Sequence, residues 1–227
     1  MKIRQYIDSI SELNFTRTRD GALYKNYWQG PNHLRNGNWS ARNLPNNKYF
    51  DMERWWNQSG YMLPENLQDS YFNTPKLKDF IKNSSIVDLG CGKGFSLFCF
   101  MLGWEFKNYV GLEINEDYLN IFKSNFNVLK EKRHEFKEKS LQLYHMNVVD
   151  YEFSKSDNFL YIFNSFGRET WKKIMPNLMK SLEEHPRELY ICYDNSAHAD
   201  QIVDNYNFEL VYGSYENKKI LLKYSGQ

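Results

Sequence analysis

The residues best suited to chemistry are concentrated in one short segment, Val87-Asp88-Leu89-Gly90-Cys91-Gly92-Lys93-Gly94. Glycines at alternate positions let a chain bend sharply and approach a ligand closely, and a helix starting there presents free backbone N–H groups. Asp88 stands two residues ahead of the first glycine, and a second carboxylate, Glu113, lies near the end of the next apolar run. A glycine-rich turn between a strand and a helix admits nucleotide-type readings, which the flanking residues sort. A phosphate-binding P-loop needs Gly-Lys followed by Ser or Thr at a longer spacing, and here Gly92-Lys93 is followed by Gly94. The dinucleotide fingerprint wants its third glycine where this chain has Phe95, which weakens NAD as the ligand.

The turn does not stand alone. VDLGCGKG is followed by GLEIN, HMNVVD, YIFNSFG and PRELYICYDN. In this order and at these intervals the segments resemble the class I S-adenosylmethionine-dependent methyltransferases, over roughly Ser70 to Lys223. The nearest resemblance is to a bacterial subgroup whose fourth strand ends in Phe-Asn-Pro-Phe; here that element reads Phe163-Asn164-Ser165-Phe166, with the proline replaced.

The resemblance implies S-adenosylmethionine as cofactor and assigns roles around it. Asp88 would hold the methionine ammonium, directly or through water, against the backbone of Gly90, Gly92 and Gly94. Glu113 would accept both ribose hydroxyls, and Ile114 would pack on the adenine. The acid that meets the adenine amino group falls on Asn147 when counted back from the FNSF element, whereas Asp150 is the first actual carboxylate. Thr74 matches a Thr-Pro found near the cofactor in this subgroup, and reads equally well as a helix N-cap before Pro75.

Methyl transfer from a sulfonium is an in-line displacement, so it needs an aligned acceptor and, for a hydroxyl, a group to take the proton. No metal is expected. Asn164 is the first candidate on the acceptor side, as an orienting amide. His198 and Asp194 follow, because His titrates near neutrality and both lie after the fifth strand. Tyr193 and Asn195 beside them, with Tyr24, Trp28, His33 and Trp55 from the N-terminal region, are candidate substrate contacts. Aromatic rings mixed with Asn, Gly and Pro suit a polar ring ligand, since they offer flat faces to stack on and amides to satisfy hydroxyls. O-methylation of a sugar or similar hydroxylated metabolite, such as a surface polysaccharide precursor, is therefore the expected activity. The alternative is N-methylation of a protein or nucleic acid, whose families often carry two prolines at the FNSF position that this chain lacks. A non-catalytic cofactor binder is argued against by the intact glycine turn and Glu113.

These residues need a frame. From Ser85 onward apolar runs alternate with amphipathic stretches, the pattern of an α/β sheet. Strands are expected at Ser85–Leu89, Tyr109–Ile114, Leu141–Met146, Phe159–Phe163 and Glu188–Tyr193, with a terminal hairpin of Phe208–Tyr212 and Ile220–Tyr224. Helices are expected at Phe95–Leu102, after an Asn115 cap and on into Lys130–Lys139, at Glu169–Glu184 and at Ala197–Tyr206. The expected fold is a Rossmann-like, doubly wound, mostly parallel sheet with a C-terminal antiparallel hairpin. The chain divides into an N-terminal aromatic-rich cap, 1–80, and a cofactor-binding domain, 81–227.

Composition bounds the rest. A 227-residue chain with 41% hydrophobic and 25% charged residues is an ordinary globular domain, and a net charge of +1 lacks the field of a general nucleic-acid binder. Three cysteines in no metal-like spacing read as reduced thiols, and no apolar run spans a bilayer, so a cytoplasmic location is expected. Aromatics reach 17%, and such a load must be housed in a core or a binding surface.

Overall fold

The computed structural model describes residues 3–14, 74–163, 166–194, 196, 198–215 and 219–226. β1 (Ser85–Leu89) is buried at every position, as a strand covered on both faces must be. β2 (Asn108–Glu113) and β4 (Asp157–Phe163) flank it in parallel. β3 (Leu141–His145) extends the sheet from β2, and β5 (Leu189–Asp194) extends it from β4, again in parallel. β7 (Lys219–Tyr224) runs antiparallel to β5 and forms a hairpin with β6 (Glu209–Ser214). The strand order is β3-β2-β1-β4-β5-β7-β6. The direction of winding reverses between β1 and β4, and in such sheets the crevice outside the strand carboxyl ends at that point takes the ligand. This is the Rossmann-like, mostly parallel α/β fold with a C-terminal antiparallel hairpin that the alternation of apolar runs predicts.

Strand alternation sorts the side chains onto two faces. One face carries Val87, Leu89, Val110, Leu112, Leu160, Ile162, Ile191 and Tyr193, covered by α5 (Arg168–Glu184) and α6 (Asp200–Tyr206). The other face is aromatic. There Phe159 and Tyr161 meet Phe100 of α3 (Phe95–Gly103), Tyr190 meets Phe80 of α2 (Pro75–Asn83) and Phe106 joins Tyr109 to Phe159, while Phe98 of α3 packs edge-on against Phe122 of α4 (Glu116–Lys132). Each fully buried ring contributes about 1.5–3 kcal/mol, so much of the aromatic content stabilises the sheet domain itself.

Local chemistry sets the helix starts. Asn115 caps α4, its Oδ1 accepting from the N–H groups of Asp117 and Tyr118 at 2.9 and 3.2 Å. Thr74 caps α2 through Leu77 N at 3.3 Å, with Pro75 at the first helical position. α1 (Ile3–Asp8) lies in the same compact unit as the sheet, touching α3.

Two expectations about extent are corrected. α4 does not run through Lys130–Lys139; it ends at Lys132, Arg133 turns extended, and a 3-10 turn at His134–Glu138 brings Phe136 inward to 1% exposure. At 1.5 Å per residue an unbroken helix would carry Phe136 away from Phe98 and Phe126, the rings it meets here. α6 starts at Asp200 rather than Ala197. The β3-to-β4 crossover contains only a 3-10 turn, Val148–Asp150, whose Val149 carbonyl is held by Asn177 of α5 at 2.8 Å.

Candidate functional site

The glycine turn joins β1 to α3 at the winding reversal. Gly90, Gly92 and Gly94 all have positive φ, at 91°, 53° and 94°. The N–H groups of Gly90 and Cys91 both donate to the Leu112 carbonyl at 2.9 Å, which folds the turn back over the end of β2. A Cβ at Gly92 would meet nothing within 4 Å, so the turn leaves open space on that side. At Gly94 a Cβ would lie 2.7 Å from Phe98 and 2.8 Å from Phe122, so that glycine serves the packing of α3 against α4. Lys93 lies over the Tyr118 ring at 5.5 Å, a contact consistent with the failure of the P-loop reading.

Both predicted carboxylates are buried at this turn. Asp88 is 3% exposed and Glu113 5% exposed. Burial pushes the Asp88 carboxyl well above the usual carboxylate range, and the nearby Glu113 carboxylate pushes it further. The Cys91 thiol is raised by burial and then by Asp88 and Glu113, which places all three groups in one electrostatic neighbourhood. Glu113 is fixed at both oxygens, Oε2 accepting from Gly92 N at 2.9 Å and Oε1 from Asn115 N at 2.8 Å. A carboxylate has about four acceptor sites, so two backbone donors do not exhaust its capacity.

Ile114 follows directly after β2 and is 48% exposed, among the large apolar side chains least covered in the described residues. Its carbonyl is held by His145 Nε2 at 3.0 Å, and Met146 N donates to the Glu113 carbonyl at 3.0 Å, so the ends of β2 and β3 are locked together beside it. Asn147 caps the 3-10 turn, its Oδ1 accepting from Val149 N at 3.2 Å. Asp150 is exposed and lines a cleft with Tyr144, Met146 and Tyr151 over the β2–β3 edge. Asp88, Gly90, Gly92, Gly94, Glu113 and Ile114 thus share the carboxyl ends of β1 and β2, with Asn147 and Asp150 beyond β3. Thr74 is engaged as the α2 cap.

The acceptor-side candidates are dispersed. Tyr193 and Asp194, adjacent in sequence, point to opposite faces of β5. Tyr193 is fully buried among the α5 and α6 residues, its hydroxyl accepting from the Trp171 indole at 3.1 Å. Asp194, 2% exposed, lies on the Asp88 side of the sheet. His198 is half-buried in the turn before α6. Asn164, Asn195, Tyr24, Trp28, His33 and Trp55 lie outside the described residues.

One contributor escapes the sequence reading. Asn125 of α4, 1% exposed, donates from Nδ2 to the carbonyls of both Lys93 and Asn14 at 3.2 Å and accepts from Asn14 N at 2.8 Å. Its signal was an amide placed within the apolar stripe of Phe122, Phe126 and Leu129.

No protein-family model and no curated protein matches the chain. Among solved structures the chain is similar to the methyltransferase domain of a bacterial Hen1, with 15% identity, 67% of this chain and 94% of that one covered, and a TM-score of 0.46. It is similar to an Escherichia coli protein described as a methyltransferase, with 16% identity, coverage of 71% and 86%, and a TM-score of 0.49. A Streptococcus pneumoniae protein described as a tRNA (m1A22) methyltransferase shows 17% identity, coverage of 68% and 71%, and a TM-score of 0.45. At these identities the likeness is one of fold. Among the described residues no helix is long and apolar enough to cross a membrane.

Proposed function

We propose that the chain is an S-adenosylmethionine-dependent methyltransferase. The observation that carries this reading is the pair of buried carboxylates, Asp88 and Glu113, on either side of a glycine turn that is open at Gly92. The donor set fits the cofactor. A buried acid whose proton affinity is raised gains most from a cationic partner, and the methionine end supplies an ammonium beside a sulfonium. Glu113 would take the ribose hydroxyls, Ile114 would cover one adenine face, and Asn147 or Asp150 would meet the adenine edge. When bound, the cofactor supplies an electrophilic methyl group. The chain's own residues would align the nucleoside and keep water from the reacting centre.

For the acceptor, the described residues hold no observation that favours the sugar hydroxyl anticipated from the aromatic N-terminal segment. Carbohydrate modification is therefore not carried forward as the leading reading. Nitrogen of a nucleic acid or protein is the class to test first; an RNA substrate appears in the description of one of the similar folds.

The deciding experiment is calorimetric titration with S-adenosylmethionine, S-adenosylhomocysteine and NAD in parallel. Binding of the two sulfur nucleosides without NAD supports the reading, and NAD binding alone overturns it. Transfer of labelled methyl to RNA, to protein or to sugar nucleotides then identifies the acceptor class. Within that assay, loss of Trp28 or of Trp55 and Trp56 together is expected to raise the acceptor KM more than the cofactor Kd if those rings contact substrate.

A further inference from the structure

We propose that the cleft between α5 and α6 binds a phosphate group of the methyl acceptor, so that the acceptor is a phosphorylated molecule held beside the carboxyl ends of β4 and β5. This rests on the methyltransferase reading and deepens it by naming the acceptor's chemistry.

Helical spacing builds the cleft. Arg168, Trp171, Lys172 and Met175 stand three or four residues apart at the start of α5, and Gln201 and Asn205 stand one turn apart on α6, so each set shares one helix face. Together these faces line a cleft of about 230 Å³. Trp171 and Met175, each 1% exposed, close its inner side, whereas the Arg168 and Lys172 side chains are 50% and 59% exposed and stand at its opening. The two helices begin at Arg168 after β4 and at Asp200 after β5, which brings the cleft to the strand carboxyl ends where an acceptor must meet the cofactor.

Gln201 is the independent observation. It is 8% exposed, it lines the cleft, and its Nε2 has no acceptor among the described residues. A buried donor left unpaired is destabilising, and a methionine would fill the same space without that loss. Its neighbours are donors too. Asn205 Nδ2 spends one N–H on the Gln201 carbonyl at 2.8 Å and keeps a second. Arg168 reaches Asp200 at 2.8 Å and Lys172 reaches Glu169 at 2.8 Å, but ion pairs this exposed contribute little, so either cation can turn to a ligand. Among the described residues no carboxylate lines the cleft. Donors and cations without an acid match a ligand group that only accepts. A tetrahedral phosphate presents oxygens in several directions and so can take donors from two helices at once, which a flat carboxylate does less well. The larger cleft over the β2–β3 edge is the opposite case, with Asp150, Glu152 and Asp157 in its lining and no Lys or Arg.

The test titrates full-length wild-type protein, Gln201→Met and Arg168→Gln with inorganic phosphate, ribose 5-phosphate and a short single-stranded RNA at constant ionic strength. Heteronuclear NMR follows the Gln201 side-chain amide and the Trp171 indole, and S-adenosylhomocysteine binding is measured on the same samples. Both signals of the wild type are expected to shift saturably with a phosphate-bearing probe. Each substitution should weaken that binding about tenfold or more, the scale of a hydrogen bond to a charged group, and leave S-adenosylhomocysteine affinity unchanged. Gln201→Met should melt at or above the wild-type temperature, whereas a purely structural Gln201 would lower it. Tighter binding of the RNA identifies the phosphate as that of a nucleic acid, and tighter binding of ribose 5-phosphate identifies a small phosphorylated acceptor. Signals that move with none of the probes, or equal affinities in the wild type and both variants, overturn the phosphate site while the methyltransferase reading stands on S-adenosylhomocysteine binding. A wild type that binds phosphate but not S-adenosylhomocysteine overturns that reading, and the acceptor role of the cleft falls with it.

Discussion

Glu113 Oε2 accepts a hydrogen bond from the backbone N–H of Gly92 at 2.9 Å, so a carboxylate at the end of β2 holds the turn that follows β1. Its other oxygen accepts from Asn115 N at 2.8 Å. The side chain therefore shapes the site as well as offering lone pairs to a ligand. Glu113→Ala should abolish cofactor binding and also lower stability by about 1.5–3 kcal/mol, the range for hydrogen bonds to a charged acceptor. Calorimetry and denaturant unfolding measure the two losses separately. A variant that loses binding with unchanged stability would show that the turn holds itself.

Asp88 should behave in the opposite sense. Its carboxyl is raised in the folded state by burial and by Glu113, whereas in the unfolded chain it titrates near its ordinary value of about 4. Between those two values the folded protein binds more protons than the unfolded one, so this group's contribution to stability falls as pH rises. Asp88→Asn removes that penalty. The variant should melt a few degrees above the wild type at neutral pH, with the difference closing as pH is lowered toward about 4, yet it should lose cofactor affinity. Thermal unfolding across pH, paired with calorimetry, checks both halves.

The sheet was legible because its strands are short apolar runs bounded by turn formers, and because Asn115 and Thr74 are strong caps. The cofactor side of the site was legible for a similar reason: positive-φ glycines beside acids leave a local signature. What was hidden depends on tertiary register. Nothing local shows that Tyr161 stands level with Asp88 on one side and Cys192 on the other. Tyr193 misleads for the same reason, since one step along β5 turns its side chain away from Asp194 into the α5 packing. Arg133 stands at the next position of the α4 stripe yet turns extended and lays its guanidinium over the Tyr6 ring at 4.8 Å, so the spacing alone did not show where α4 ends.

The glycines of the turn should separate into two kinds. Gly94→Ala puts a Cβ 2.7 Å from Phe98 and 2.8 Å from Phe122 at a φ of 94°. Backbone strain and overpacking together predict a loss of about 3 kcal/mol, read in denaturant unfolding. Gly92→Ala meets nothing within 4 Å and sits at a φ of 53°, so only the left-handed backbone penalty of about 1–2 kcal/mol applies. Its effect should fall on the ligand: the folded variant is expected to bind S-adenosylhomocysteine far more weakly, because the methyl group enters the space proposed for the cofactor. Full affinity in Gly92→Ala would place the ligand elsewhere.

Asn125 connects the N-terminal residues to the same turn. Its amide donates to Lys93 O and Asn14 O and accepts from Asn14 N, so one side chain satisfies three backbone groups on two segments distant in sequence. Replacement by Leu keeps the volume but leaves those groups without their partner, at about 1–3 kcal/mol for each that stays buried. Replacement by Asp keeps the acceptor for Asn14 N and sets a carboxylate against two carbonyls, so it should be no better tolerated. Both variants should show faster hydrogen exchange at Asn14 and within the Gly92–Gly94 turn, and weaker cofactor binding through the loosened turn. Exchange that rises at Asn14 alone would show that the turn is held independently of the N-terminal segment, and binding should then be unaffected.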